Sequence, residues 1–307
     1  MLVCLGLHHA VWQPSSTSET MLKEAVLLAA GLGNRLRPFT DATPKCLVPA
    51  GGVPLLGHLF NSLHENGFTR LIIVTGYEAE QIRGWVESTL RSEKFDLDVV
   101  FVHNAHYATT NNIYSLWQVI PHQQEGFVLL ESDLIFEPSA LMALKMPNRM
   151  ALDWFNPEIQ SGTTATVDSR GQVSDMFVRE EPPSGLPLYK TVNMTSFSSQ
   201  TWQQLAVRID DLVKNGVTDT FYELAIRDLI RSGEATFDIA DYSQFWWDEV
   251  DTTTDLSRVN SYLGTTQSRW TPESEVLTTG HRATTGPLAT TGHRVATGHR
   301  ASVSFDP

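Results

Sequence analysis

The sequence predicts an α/β fold, a mostly parallel Rossmann-like mixed sheet flanked by helices, with an antiparallel insertion on one side. Three observations carry this. Between residues 24 and 133, short apolar runs alternate with stretches of helical periodicity. A glycine-bearing segment directly follows the first apolar run. Beyond residue 150 the pattern changes to closely spaced strand-like runs separated by turn residues.

The elements follow in order. Glu24–Leu28 and Arg70–Thr75 are short continuous apolar runs, as in strands buried on both faces. Between them Leu55, Leu56, Leu59, Phe60 and Leu63 recur at helical spacing, and Asn66-Gly67 supplies a helix stop. Ile82, Val86 and Leu90 mark a second helix. DVVFVH (98–103) reads as a third strand, IYSLWQVI (113–120) as a helix, and GFVLLESD (126–133) as a fourth strand ending on a carboxylate. This βαβαβαβ order implies right-handed crossovers. In the second half, 163–178 reads as a hairpin turning near Arg170-Gly171, and 189–198 as a strand. Helices are expected over 199–214 and 218–231, then a strand, a polar turn and a final helix over 245–263.

The chain has 307 residues, 41% of them apolar and 19% charged, within the range of globular proteins. Three segments are expected: an N-terminal extension (1–20), a catalytic domain (21–263) and a low-complexity tail (264–307). The segment lacks a basic n-region and an A-x-A cleavage pattern, so a signal peptide is not expected and it reads as a disordered extension or as sequence upstream of a start at Met21. From Thr278 the tail repeats the hexads TTGHRA, TTGPLA, TTGHRV and ATGHRA, which offer little to bury and read as disorder. The net charge of −13 argues against a nucleic-acid partner. No run approaches the length of a membrane span. Cys4 and Cys46 are too few for a zinc cluster or a disulfide framework, and a cytoplasmic location is the simplest reading.

The densest signal is LLAAGLGNRLRPFTDATPKCLVPAGG (27–52). Gly31 and Gly33 follow a strand, but Leu36 stands where the dinucleotide fingerprint needs glycine, and no Gly-Lys-Ser/Thr completes a P-loop. What remains is A-A-G-x-G-x-R-x-x-P-x-T followed by T-P-K. Glycines let backbone N–H groups approach phosphate oxygens. Arg35 and Lys45 neutralise a polyphosphate, and Pro38 and Pro44 restrict the loop that presents them.

This stretch resembles the signature of the nucleotidyltransferase superfamily that activates sugar phosphates and small alcohol phosphates, with Asn34 where that pattern usually has Ser or Thr. The resemblance implies a Mg²⁺-dependent attack of a phosphate or phosphonate oxygen on the α-phosphorus of a nucleoside triphosphate. It places Ala29, Ala30, Gly31, Gly33 and Asn34 on the nucleotide, with Arg35 and Lys45 as the catalytic cations. It also implies carboxylates for Mg²⁺, namely Asp133 after the fourth strand and Asp251 in EVDTTTDL. Asp248 is the fallback, and Asp255 reads as a helix-start residue.

NNIYSLW (111–117) resembles the N-N-x-Y-S-L stretch of phosphocholine and phosphonate cytidylyltransferases. Asn112 and Ser115 are then expected to read the nucleoside by hydrogen bonds. YKTVNMTSFS and DTFYELAIRDLI are similar to segments of the same branch. They imply Lys190, Tyr222 and Glu223 at the acceptor, with Trp154 as an aromatic wall for a cationic tail. The expectation is a cytidylyltransferase for CTP and a small phosphonate of the 2-aminoethylphosphonate or 2-hydroxyethylphosphonate type. Phosphocholine or a sugar 1-phosphate is the alternative acceptor. No membrane partner is expected, and a homodimer is compatible with this reading.

Overall fold

A computed structural model describes residues 21–270, Lys94 excepted. The extension at 1–20, Cys4 and the hexad repeats lie outside the described residues. The chain order is β1 (Glu24–Ala29), β2 (Pro49–Ala50), β3 (Val53–Pro54), α1 (Leu55–Glu65), β4 (Arg70–Thr75), α2 (Ala79–Glu93), β5 (Asp98–His103) and α3 (Asn112–Trp117). It continues with β6 (Phe127–Glu131), β7 (Leu134–Phe136), β8 (Arg149–Trp154), β9 (Thr164–Val167), β10 (Val173–Phe177) and β11 (Tyr189–Phe197). Last come α4 (Ser199–Lys214), α5 (Glu223–Ser232), β12 (Asp238–Asp241), β13 (Trp247–Glu249) and α6 (Thr253–Trp270).

Among the described residues nine strands make the main sheet, with the path β10-β9-β11-β6-β1-β4-β5 and with β8 and β12 joined through β11. β1 pairs parallel with β4 and β6, and β4 with β5, as the alternating pattern predicts. The antiparallel part is a continuation of this sheet: β11 runs antiparallel to β6, β8 and β9, and β9 to β10.

The continuous apolar run of β1 has a direct physical cause. Val26, Leu28 and Ala30 join one core with α3, α4 and α5 residues such as Leu116, Trp202 and Ile226. Ala25, Leu27 and Ala29 join the opposite core with Leu56, Leu59, Phe60 and Leu63 of α1 and Ile82 and Val86 of α2. Side chains alternate across a strand, so a strand covered on both faces is apolar at every position.

Several boundaries differ from expectation. β6 ends at Glu131, so Asp133 sits in the turn before β7 and not on the strand. α3 stops at Trp117, and a short 3-10 turn containing Pro121 follows. α5 begins at Glu223, not at 218. The carbonyls of Thr218 and Thr220 accept the backbone N–H groups of Asn111 and Ile113, which ties the segment before α5 to the start of α3. α6 continues beyond Leu263 to Trp270. The short strands β7, β12 and β13 carry too few residues for a periodic signal. β7 and β13 nevertheless pair antiparallel, with Glu249 opposite Leu134.

Candidate active site

The carboxyl ends of β1 and β6 open onto a cleft of about 580 Å³. Open α/β sheets place their sites at this edge. Ala29, Ala30, Gly31, Gly33, Asn34, Arg35, Lys45, Asn112, Ser115, Asp133 and Asp251 all line it. These are the predicted nucleotide, cation and carboxylate residues.

The loop after β1 is shaped by its glycines. Gly33 has φ 64°, and a Cβ there would lie 3.1 Å from both Lys45 Cβ and Thr40 Cγ2. Only glycine takes that conformation and that approach without strain. Thr40 Oγ1 donates to the Gly33 carbonyl at 2.8 Å, closing the turn. A Cβ at Gly31 would meet nothing within 4 Å, so the backbone there borders open space. Leu36, fully buried, anchors the loop in a small core with Val48, Ala50, Leu55, Ile135, Val250, Leu256, Val259 and Leu263. Gly51 N–H donates to Asn260 Oδ1 of α6 at 2.7 Å, which ties the β2–β3 turn to the last helix.

The same small core brings two distant acids together. Pairing of β7 with β13 is prolonged by the Val250 N–H donating to the Asp133 carbonyl at 2.9 Å. Asp133 and Asp251 therefore converge, and Lys45 Nζ donates to Asp133 Oδ2 at 2.8 Å and to Asp251 Oδ1 at 2.5 Å. Arg35 Nη2 lies 2.8 Å from Asp251 Oδ2. Burial by itself lowers the pKa of the Lys45 ammonium, but the two carboxylates outweigh it and the net shift is upward. Burial pushes Asp133 up, yet Lys45 draws it below the usual carboxylate range.

Of the three late acids, Asp251 reaches the cleft. Asp248 is locked by Arg258, with Oδ2 2.7 Å from Nε and Oδ1 2.6 Å from Nη2. Asp255 accepts from the backbone of Asp251 and Thr252 at the start of α6, the helix-start role expected of it. Alternation along β13 separates Asp248 from its neighbour Glu249.

Asn112 and Ser115 line the cleft, but their polar atoms already have protein partners. Asn112 Oδ1 accepts from the Tyr222 N–H at 3.0 Å, and its Nδ2 donates to Glu131 Oε1 at 3.1 Å and Glu223 Oε2 at 3.4 Å. Ser115 Oγ accepts from the buried Asn104 Nδ2 at 3.1 Å. Both side chains brace the wall of the site through these bonds.

The four acceptor assignments fall elsewhere, since none of them lines this cleft. Lys190 is 3% exposed on a strand flanked on both sides, and its Nζ is held by the Thr191 carbonyl at 2.5 Å and Glu249 Oε1 at 3.1 Å. Tyr222 is buried, with its backbone N–H donating to Asn112 Oδ1. Glu223 is buried under Asn112. Trp154 is 58% exposed at the end of β8 and stacks on Tyr189 at 4.6 Å.

Residues missed in the sequence include Glu131, Asn104, Tyr107, Thr110 and Phe221, all lining the cleft. Glu131 carries a sequence signal, because in LLESD it is the acid that ends β6, two positions before Asp133. Burial, then the charges of Asp133, Glu223 and Glu249, raises its pKa well above the carboxylate range. Burial likewise raises Glu223 to about 7, and raises Glu249 despite Lys190. The wall beneath the cleft is thus an acidic cluster in which Asn112 bridges Glu131 and Glu223.

The chain matches the MobA-like NTP transferase domain over residues 25–149. It is 28% identical over 243 residues, 77% of its length, to the CMP-5'-(3-aminopropyl)phosphonate synthase of Streptomyces rubellomurinus, and spans 38% of that protein. It is 38% identical over 114 residues, 37% of its length, to the choline-phosphate cytidylyltransferase of Streptococcus pneumoniae, and spans 46% of it. The 2-aminoethylphosphonate cytidylyltransferase of Lancefieldella rimae is 28% identical over 62% of this chain and 73% of its own. The solved inositol-1-phosphate CTP transferase of T. maritima shares the fold, with a TM-score of 0.65 at 20% identity over 82% of this chain and 98% of that one. Among the described residues no helix is long and apolar enough to cross a membrane.

Proposed function

We propose that the chain is a CTP-dependent cytidylyltransferase that joins CMP to a small phosphonate of the 2-aminoethylphosphonate or 2-hydroxyethylphosphonate type and releases pyrophosphate, a step of phosphonate biosynthesis. The observation that carries this reading is the Lys45 ammonium held between Asp133 and Asp251, at the mouth of a glycine loop that leaves its backbone accessible. Nucleotidyl transfer needs charge neutralisation and in-line positioning more than a covalent nucleophile. A phosphonate oxygen bonds to the α-phosphorus while the bond from that phosphorus to the bridging oxygen breaks, and pyrophosphate leaves with the electron pair. The phosphonate is largely ionised near neutral pH, so no general base is required.

In this reading the loop N–H groups and Arg35 bind the triphosphate, and Lys45 stabilises the charge that builds on the α-phosphate. Asp133 and Asp251 would hold Mg²⁺. The donor set suits it, because two convergent carboxylates already hold one cation between them, and Mg²⁺ uses one or two carboxylates and takes the rest of its oxygens from phosphate and water. When bound, the ion supplies further neutralisation of the triphosphate. A cytoplasmic homodimer completes the proposal, and light scattering after size exclusion tests the dimer.

The identity to a phosphonate synthase over 77% of the chain favours a phosphonate acceptor. The higher identity to a choline-phosphate enzyme over a shorter stretch keeps phosphocholine as the second reading. A pyrophosphate-release screen tests both, crossing four nucleoside triphosphates with alkylphosphonates, phosphocholine and sugar 1-phosphates. Turnover restricted to CTP and a phosphonate supports the first reading, whereas UTP with a hexose phosphate overturns it.

A further inference from the structure

The cytidylyltransferase reading requires a cation for the acceptor's own phosphonate or phosphate group. Lys190, the residue expected to supply it, is buried and engaged by Glu249 and a carbonyl. The cations lining the cleft, Arg35 and Lys45, both contact Asp251 and are assigned to the triphosphate. A further protein cation near the cleft would serve a group carrying up to two negative charges.

Arg179 fits that need. It follows β10, is exposed, and its guanidinium carbon lies 4.2 Å from the centroid of the Phe221 ring. Phe221 lines the cleft, and its segment is held there by the bonds from Asn111 and Ile113 to the carbonyls of Thr218 and Thr220. Arg179 has φ 56°, in the left-handed region. Asn and Asp enter that region readily, whereas a long side chain there is uncommon and redirects away from the strand's alternation. The neighbouring acid does not hold it. Glu180 is bound by Arg227 and, at 3.1 Å, by Arg231. Among the described residues Arg179 has no carboxylate partner, although most described arginines do. An aromatic face orients a guanidinium while leaving its N–H fork free for an oxyanion.

We propose that Arg179, which does not itself line the cleft but rests on the cleft-lining Phe221, is an acceptor-binding residue whose exposed guanidinium takes the phosphonate or phosphate oxygens of the incoming acceptor. This inference rests on the cytidylyltransferase reading. Its test is steady-state pyrophosphate release by the full chain and by the variants Arg179→Met, Arg179→Lys and Arg179→Gly. CTP is saturating, and 2-aminoethylphosphonate, 2-hydroxyethylphosphonate and phosphocholine are assayed separately, which tells a phosphonate from a phosphate ester. The expected result is an acceptor KM raised about ten- to a hundredfold in the Met and Gly variants, with the CTP KM unchanged and partial recovery in the Lys variant. The Gly variant accepts the left-handed backbone, so its loss isolates the missing charge. An unchanged acceptor KM overturns the assignment, as does a parallel rise in the CTP KM, which marks a wall residue that only supports Phe221. A wild-type protein that releases no pyrophosphate with any acceptor removes the cytidylyltransferase reading, and this inference falls with it. An active wild type with an unaffected Met variant removes Arg179 alone.

Discussion

Lys45 Nζ lies 2.5 Å from Asp251 Oδ1, although 206 positions separate the two residues in the chain. The contact is made possible by the pairing of β13 with β7 and by the core under Leu36, which together press the last helix against the loop after β1. Asp133 completes the arrangement from the other side of the same ammonium. Three charges that do little separately become one site.

Replacing Lys45 by Met is expected to lower kcat by about 10²–10³ with CTP, the range for loss of one preorganised electrostatic partner. The same variant leaves two carboxylates without their shared counter-ion. Mn²⁺ binding without nucleotide, followed by electron paramagnetic resonance, should then be tighter than in the wild type. Unchanged Mn²⁺ affinity would mean that Asp133 and Asp251 are not the metal's seat.

Gly33→Ala and Gly31→Ala separate folding from binding. At Gly33 the backbone is left-handed and a methyl group meets Lys45 and Thr40 at 3.1 Å. A loss of about 1 kcal/mol or more in denaturant titration is expected. At Gly31 the added methyl meets no protein atom within 4 Å, so stability should hold while the CTP KM rises. Equal stability losses in both variants would contradict the loop geometry.

Asn112→Ala removes one side chain that bonds to Tyr222, Glu131 and Glu223 together. It should cost about 1–3 kcal/mol of stability, because buried polar groups lose their partners. The alternative is direct reading of cytosine by Asn112. That would appear as relaxed discrimination of CTP over UTP with stability retained.

Glu223 gives a pH signature. Burial raises its pKa from 4.5 to about 7 in the folded protein. The folded state therefore holds this proton more tightly than the unfolded chain. The stability it contributes is complete below 4.5 and is lost as pH climbs through the folded value. Glu223→Gln removes this titration. The unfolding free energy of the Gln variant, from denaturant titration, should gain on the wild type as pH rises from 4.5 to about 7, by on the order of 3 kcal/mol at most, since one pKa unit is worth about 1.4 kcal/mol. A constant difference across that window would show that Glu223 titrates normally.

The sequence by itself determined the parallel half of the sheet, the two-faced burial of its strands and the chemistry of the loop between Ala29 and Lys45. These are local properties, because apolar periodicity and glycine or proline placement act over a few residues. It also pointed to Asp133 and Asp251 as partners, through resemblance to a family. Tertiary structure alone decided which late acid reaches Lys45. Asp248 and Asp251 look alike in WWDEVDTTTDL, but Arg258 takes the first, and the pairing of β13 with β7 delivers the second. Tertiary structure also withdrew Lys190, Tyr222 and Glu223 from the cleft and stacked Arg179 on Phe221. Burial and side-chain pairing are properties of contacts between segments far apart in the chain, and no local pattern encodes them.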